Sequence, residues 1–273
     1  MILSFVSPEA AQQVLGGCSL LAALAYLGAG VMARSERSRP HLLLPIAFGL
    51  HLVALLIDIA ALGLPVEGAR FGFAPALSMT SWLILAVYLI ESQLLPLPGV
   101  RRVLAALAVC AVLLAWAFPG EARPAASPWA PLHWVLGLAS YGLFGVAVLH
   151  AALLNRAESQ MRLKKGAAAM TLGLPLLRLE RLTFQFVAAG VAVLSLALLL
   201  GWWFTPQWRW DHKTLLSVLG WLVLTSLLVG RRLFGWRGRR ATRWLYFGAA
   251  LLLLAYAGTR FVLEVILQRP VGG

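Results

Sequence analysis

The run Gly201-Trp202-Trp203-Phe204-Thr205-Pro206-Gln207-Trp208-Arg209-Trp210-Asp211-His212-Lys213 brings four indoles, two cations, an acid and an imidazole into thirteen residues. Flat apolar rings beside Arg209, Lys213 and His212 are the materials of a binding site for a planar ligand that carries both anionic groups and a metal. Trp202, Trp203, Trp208 and Trp210 supply the walls of such a platform, and Arg209 and Lys213 meet anionic groups as charge-assisted hydrogen-bond donors. A plainer reading also fits these residues. Tryptophans gather at the headgroup level of membranes, an explanation that also suits Trp82, Trp116, Trp129, Trp236 and Trp244. Asp211, just ahead of an apolar run, is a good helix N-cap, and His212 is then a first-turn surface residue.

The flanking elements decide where this loop lies. Of the 273 residues, 61% are hydrophobic and only 12% charged. Apolar runs of about twenty residues recur along the chain, the length a helix needs to cross roughly 30 Å of hydrocarbon. Eight spans are predicted, at about 12–32, 42–63, 76–95, 101–118, 131–154, 183–202, 212–230 and 244–267. Backbone groups in lipid must be satisfied within their own segment, so runs this rich in Leu and Ala predict helices and an all-α polytopic membrane protein. The segment 155–182 is too short for a second domain, so 1–273 reads as one transmembrane domain. Its part 166–182 reads as an amphipathic surface helix, with Pro175 at its start and Leu176, Leu177, Leu179 and Leu182 among Arg178, Glu180 and Arg181. No basic region precedes the first apolar run, which predicts a first span and not a cleaved signal peptide.

The net charge of +13 does not point to nucleic acid, because of how it is distributed. Seventeen basic residues fall in alternate loops: Arg34, Arg37, Arg39, Arg101, Arg102, Arg156, Arg162, Lys164, Lys165, Arg178, Arg181, Arg231, Arg232, Arg237, Arg239, Arg240 and Arg243. The other side holds five, Arg70, Arg123, Arg209, Lys213 and Arg269. The positive-inside rule puts the first set in the cytoplasm, with both termini and the tryptophan loop outside, in a bacterial inner membrane. Cys18 and Cys110 lie in different spans with no Cys-X-X-Cys pair, which excludes a thiol relay and predicts small packing residues.

Haem has the chemistry the loop asks for: an apolar macrocycle, two carboxylates, and an iron that takes axial imidazole. His133, opening the fifth span, and His212 are ligand candidates at the same outer level. His150 follows His133 by 17 residues, about 25 Å along a helix, so the two cannot hold one iron. His51 and His150 lie deeper, where a hydrogen bond to a neighbouring helix is at least as good an explanation for each as any site role. His51 and Asp58 are seven apart and share a helix face. Asp58, Arg260 and Glu264 are charges inside spans, costly and hence either helix-joining or functional, and Asp58 with Arg260 is the predicted ion pair. Glu91 lies near enough to the inner surface to reach it.

Trp208-Arg209-Trp210-Asp211-His212-Lys213, then Trp221, then Gly235-Trp236-Arg237-Gly238-Arg239-Arg240, resembles the tryptophan-rich WWD motif, following helix and Gly-Trp-Arg-Gly turn of the cytochrome c assembly (CcsA-type) family. His133 and Ser140-Tyr141 resemble that family's outer histidine and the Ser-Tyr of its helix. The similarity covers roughly 131–262, and the layout is most like the short, stand-alone YpjD-like branch. It implies haem b handled first within the membrane, a station that His51 and His150 would suit as inner ligand candidates, and then at the outer face, with an apocytochrome or another membrane assembly subunit as partner beside the lipid bilayer. The family's synthases place a second outer histidine after the tryptophan motif. Here the last span contains none, so either His212 substitutes or the outer site is incomplete. The expectation is therefore a haem-handling accessory with no catalytic residues of its own. The rival classes are a small-molecule or ion transporter lined by His51, Asp58 and Arg260, and a structural or regulatory subunit that kept the fold without the ligand.

Overall fold

The computed structural model describes residues 7–32, 42–64, 68–93, 98–125, 127–162, 176–205 and 210–267. Their apolar runs form eight helices: α1 (Pro8–Val31), α2 (Leu43–Ile59), α3 (Phe73–Ser92), α4 (Pro98–Ala117), α5 (Ala130–Arg162), α6 (Leu176–Phe204), α7 (His212–Phe234) and α8 (Gly238–Ile266). Seven are long and apolar enough to span a bilayer, and α2 is a shorter apolar helix. Each overlaps one predicted span, and the chain is a polytopic all-α membrane protein.

Boundaries differ where local chemistry overrides hydropathy. Helix α2 stops at Ile59 because Ala61 and Gly63 take left-handed backbone conformations, φ 51° and 75°. Helix α6 starts earlier than its apolar run: the described part of the expected surface helix, 176–182, forms its first two turns. No helix breaker separates Leu182 from Thr183, so the amphipathic turn and the span are one rod. The rest of that expected segment lies outside the described residues. Two short strands were not expected, β1 (Ala69–Phe71) and β2 (Glu121–Arg123), paired antiparallel with Arg70 opposite Ala122. Three-residue strands about fifty positions apart carry no detectable alternation.

The helices pack as two compact units. Unit 1 comprises α1 to α4, the strand pair and the end of α8 from Arg260. Here α1 packs on α2 and α4 through alanines, among them Ala22, Ala23, Ala47, Ala54, Ala105 and Ala108, all buried. Small side chains let helix backbones approach where lipid offers no hydrophobic drive for association. Unit 2 comprises α5 to α7 and α8 up to Thr259, around a core of Phe144, Phe184, Val187, Leu194, Leu224, Leu227, Leu245 and Leu252. Gly190 makes this core possible: a Cβ there would stand 2.7 Å from the Phe144 ring.

The Gly-Trp-Arg-Gly turn between α7 and α8 follows from backbone geometry. Gly235 caps α7 at φ 64° and Gly238 opens α8 at φ 59°, both left-handed. Trp236, held between them, stacks on Trp244 at 5.9 Å and carries Arg240 over its face at 4.4 Å. Trp236 and Trp244 are thus partners in a turn and not only a membrane belt. Trp82 is also tied in, donating to Phe48 O at 3.1 Å and stacking on the Phe48 ring. Cys110, expected among buried packing residues, is exposed on the surface of α4.

Candidate functional site

At the tryptophan-loop end of unit 2, α5 begins with Ala130 and places His133 in its first turn. The ring lies against α6, where Ala197, Gly201 and Phe204 follow at intervals of four and three and so share a face. His133 Nδ1 donates to Ala197 O at 2.8 Å, the tautomer assigned because a carbonyl only accepts. Gly201 is required: a Cβ there would stand 2.9 Å from His133 Cε1. Phe204 meets the imidazole edge-on, ring centres 5.6 Å apart. With its Nδ1 proton held by a carbonyl, His133 presents Nε2 as the nitrogen with an available lone pair, and no partner for it is found among the described residues. A metal-binding histidine is held in this way.

Asp211 caps α7, its Oδ1 accepting from Thr214 N at 2.7 Å. That cap sends Lys213 back over the site, 5.4 Å above the Tyr256 ring of α8 and within electrostatic reach of His133. Tyr256 lies on a widened π turn, Leu254–Gly258, and touches Tyr141, whose hydroxyl donates to Leu252 O at 2.6 Å. π turns inside α-helices often mark functional positions. One level further in, Trp221 donates to Ser195 Oγ at 2.8 Å, joining α7 to α6.

The structure does not gather every residue the sequence placed here. Trp202 and Trp203 are 63% and 77% exposed, because they are turned about 100° and 200° around α6 from Gly201. They do not line the His133 face, and their exposure suits the interfacial belt. Trp210 and His212 are exposed beside the Asp211 cap. Trp208 and Arg209 lie outside the described residues. Sequence reasoning missed Ala197, Gly201, Phe204 and Tyr256. The spacing of Ala197, Gly201 and Phe204 was a usable signal, since small residues one turn apart in a Leu-rich run mark a close approach.

The inner candidates are individually engaged. His150 is buried in α5, Nδ1 bonded to Val146 O at 2.9 Å, with its ring 5.3 Å from Phe186. His51, in unit 1, uses both nitrogens: Nδ1 is 3.2 Å from Tyr26 Oη and Nε2 is 2.8 Å from Ser78 Oγ. The intramembrane charges pair differently from the expected Asp58 with Arg260. Asp58 Oδ1 is 3.3 Å from Arg70 Nη1, and Arg260 Nη1 is 3.6 Å from Glu264 Oε1. Residue Arg70 is drawn inward by strand β1 and further held by Gly120 O, which accepts from its Nε at 3.1 Å. Arg260 and Glu264, one helical turn apart, face each other as an ion pair, and Glu264 Oε2 also accepts from Phe73 N at 3.4 Å.

The family model described as "Cytochrome C assembly protein" matches residues 42–267, and the chain belongs to that family. Among its relatives, "Inner membrane protein YpjD" of Escherichia coli (strain K12) is 35% identical over 144 residues, 52% of this chain and 54% of that protein. An "Uncharacterized 28.8 kDa protein in nifR3-like 5'region" of Azospirillum brasilense is 32% identical over 144 residues, 51% of this chain and 53% of that one. A "Cytochrome c biogenesis protein CcsA" of Heterosigma akashiwo (strain NIES-293 / 8280G21-1) is 27% identical over 92 residues, 32% of this chain and 29% of its own. The chain spans about half the length of the curated relatives it matches first. No solved structure matches it. With its apolar helices and these relatives, it is a multi-pass bacterial inner-membrane protein.

Proposed function

We propose that this protein serves cytochrome c biogenesis by holding haem b at the tryptophan-loop end of unit 2, as an accessory that passes haem and not as a complete synthase. The single observation that carries this reading is His133, whose Nδ1 proton is fixed on Ala197 O while Nε2 keeps its lone pair. Haem, if bound, would supply an iron that His133 Nε2 could hold. The residues present fit such a group. Phe204 and Tyr256 offer aromatic surface, Lys213 offers a cation to a propionate, and Trp210 stands exposed at the rim. Gly201 keeps the space that the imidazole fills, so the ligand's orientation is set before haem arrives. The partners under this reading are the bilayer, haem, and an apocytochrome or second assembly subunit.

Wild-type protein supplied with haem should show a Soret band that survives gel filtration. Loss of the band on the column would leave the family fold without the ligand. Orientation is checked separately. A cysteine at Gln207 should react with a membrane-impermeant thiol reagent in intact spheroplasts, and one at Gly238 only after lysis. The opposite labelling pattern would place the His133 face in the cytoplasm.

A further inference from the structure

Unit 1 holds a polar chain that the His133 site does not use. His51 sits in α2, 1% exposed, with Tyr26 of α1 bonded to one ring nitrogen and Ser78 of α3 to the other. His51, Ser78, Ser19 and Asp58 also line one small cavity, where about 10 Å³ is open to the centre of a water molecule. That is room for one water. Asp58 is 4% exposed, and among the described residues neither of its carboxylate oxygens receives a hydrogen bond, although Arg70 stands 3.3 Å away. A buried carboxylate without donors, facing a polar hole of this size, calls for a bridging water. At the far end, Tyr26, itself 0% exposed, backs an open groove between α1 and α4 formed with Leu27, Gly30, Val31, Arg102 and Ala105.

Each link therefore carries an exchangeable proton, and the links run from the strand end of unit 1 to the α1–α4 groove. Each of these groups is costly in a membrane and is a functional candidate for that reason. Histidine is the side chain suited to the middle of such a chain, because it can accept a proton on one nitrogen while releasing one from the other.

We propose that unit 1 conducts protons along Asp58, a cavity water, Ser78, His51 and Tyr26. A proton taken up by the Asp58 carboxylate passes to the water, and a water proton passes to Ser78 Oγ. The Ser78 hydroxyl proton moves to His51 Nε2, the Nδ1 proton moves to Tyr26 Oη, and the phenol's own proton leaves through the groove. One proton enters and one leaves, with no change in electron count. Hydroxyl rotation and tautomer exchange at His51 reset the chain. Arg70 faces Asp58 at the entry, where Arg260 and Glu264 also lie, Glu264 Oε2 accepting from Phe73 N at 3.4 Å. Arg102 is the charged group at the groove.

The test is proton uptake by liposomes of phosphatidylethanolamine and phosphatidylglycerol containing the full chain and internal pyranine, driven by a valinomycin-clamped potassium gradient. Wild-type protein should acidify the lumen faster than protein-free liposomes, and His51→Phe and Asp58→Asn should bring the rate down to that background. Tyr26→Phe and Ser78→Ala each remove one hydroxyl with little change of volume. They should also bring the rate to background while eluting as wild type on gel filtration, which decides the matter if the first two variants do not fold. Wild-type flux equal to background, or undiminished flux in Tyr26→Phe and Ser78→Ala, would overturn the proposal. Neither result depends on whether the His133 site holds haem.

Discussion

Replacing His133 with alanine is expected to abolish retention of haem, and added imidazole is expected to restore part of the Soret absorbance. The reason lies in one nitrogen. The α5 backbone and the Ala197 carbonyl fix the ring so that Nε2 alone can reach a metal, and imidazole in solution fills the same coordination position. The more telling variant is Gly201→Val, which leaves His133 in the sequence but puts branched carbon where its ring lies; even a Cβ would be 2.9 Å from Cε1. Disturbing the group that orients a metal-binding histidine weakens affinity about 10–100-fold. Gly201→Val should therefore resemble His133→Ala in haem titration while Ser195→Ala, one level further in, stays near wild type. Normal haem affinity in Gly201→Val would show that His133 is not the ligand. His212→Ala asks whether the exposed first-turn histidine replaces the family's second outer histidine: conversion of a low-spin spectrum would say that it does.

Arg70→Gln is expected to be the most destabilising single substitution in unit 1. It leaves the Asp58 carboxylate buried without its counter-charge, an arrangement that costs about 3–5 kcal/mol in measured cases. Asp58→Asn is milder, since the Arg70 side chain keeps 16% exposure and its bond to Gly120 O. The double variant Asp58→Asn with Arg70→Gln should unfold in detergent at a higher temperature than Arg70→Gln alone, because no unpaired charge remains. If the two single losses simply add in the double variant, the ion pair is not coupled in the folded state.

Much of this protein was legible along the chain. Eight apolar runs gave eight helices because hydrocarbon leaves a backbone little else to form, and Asp211 capped α7 because its side chain and Thr214 N are neighbours in sequence. The shared face of His51 and Asp58 followed from helix period alone, and both line one cavity. The glycines of the Gly235–Gly238 turn likewise announced the left-handed conformations they adopt.

Partner choice across helices was decided only in three dimensions. Asp58 and Arg260 looked matched by depth, yet depth says nothing about direction around a helix axis. The strand pair brings Arg70 to Asp58, and Glu264, one turn away, meets Arg260 first. The four tryptophans looked like one platform because they are close in sequence. On α6, successive residues diverge by about 100°, so Gly201 and Phe204 face His133 while Trp202 and Trp203 face outward. What the sequence determined was whatever depends on composition and on neighbours within one helix. What the tertiary structure decided was which faces meet, since contacts between helices depend on rotation and tilt that no local pattern encodes.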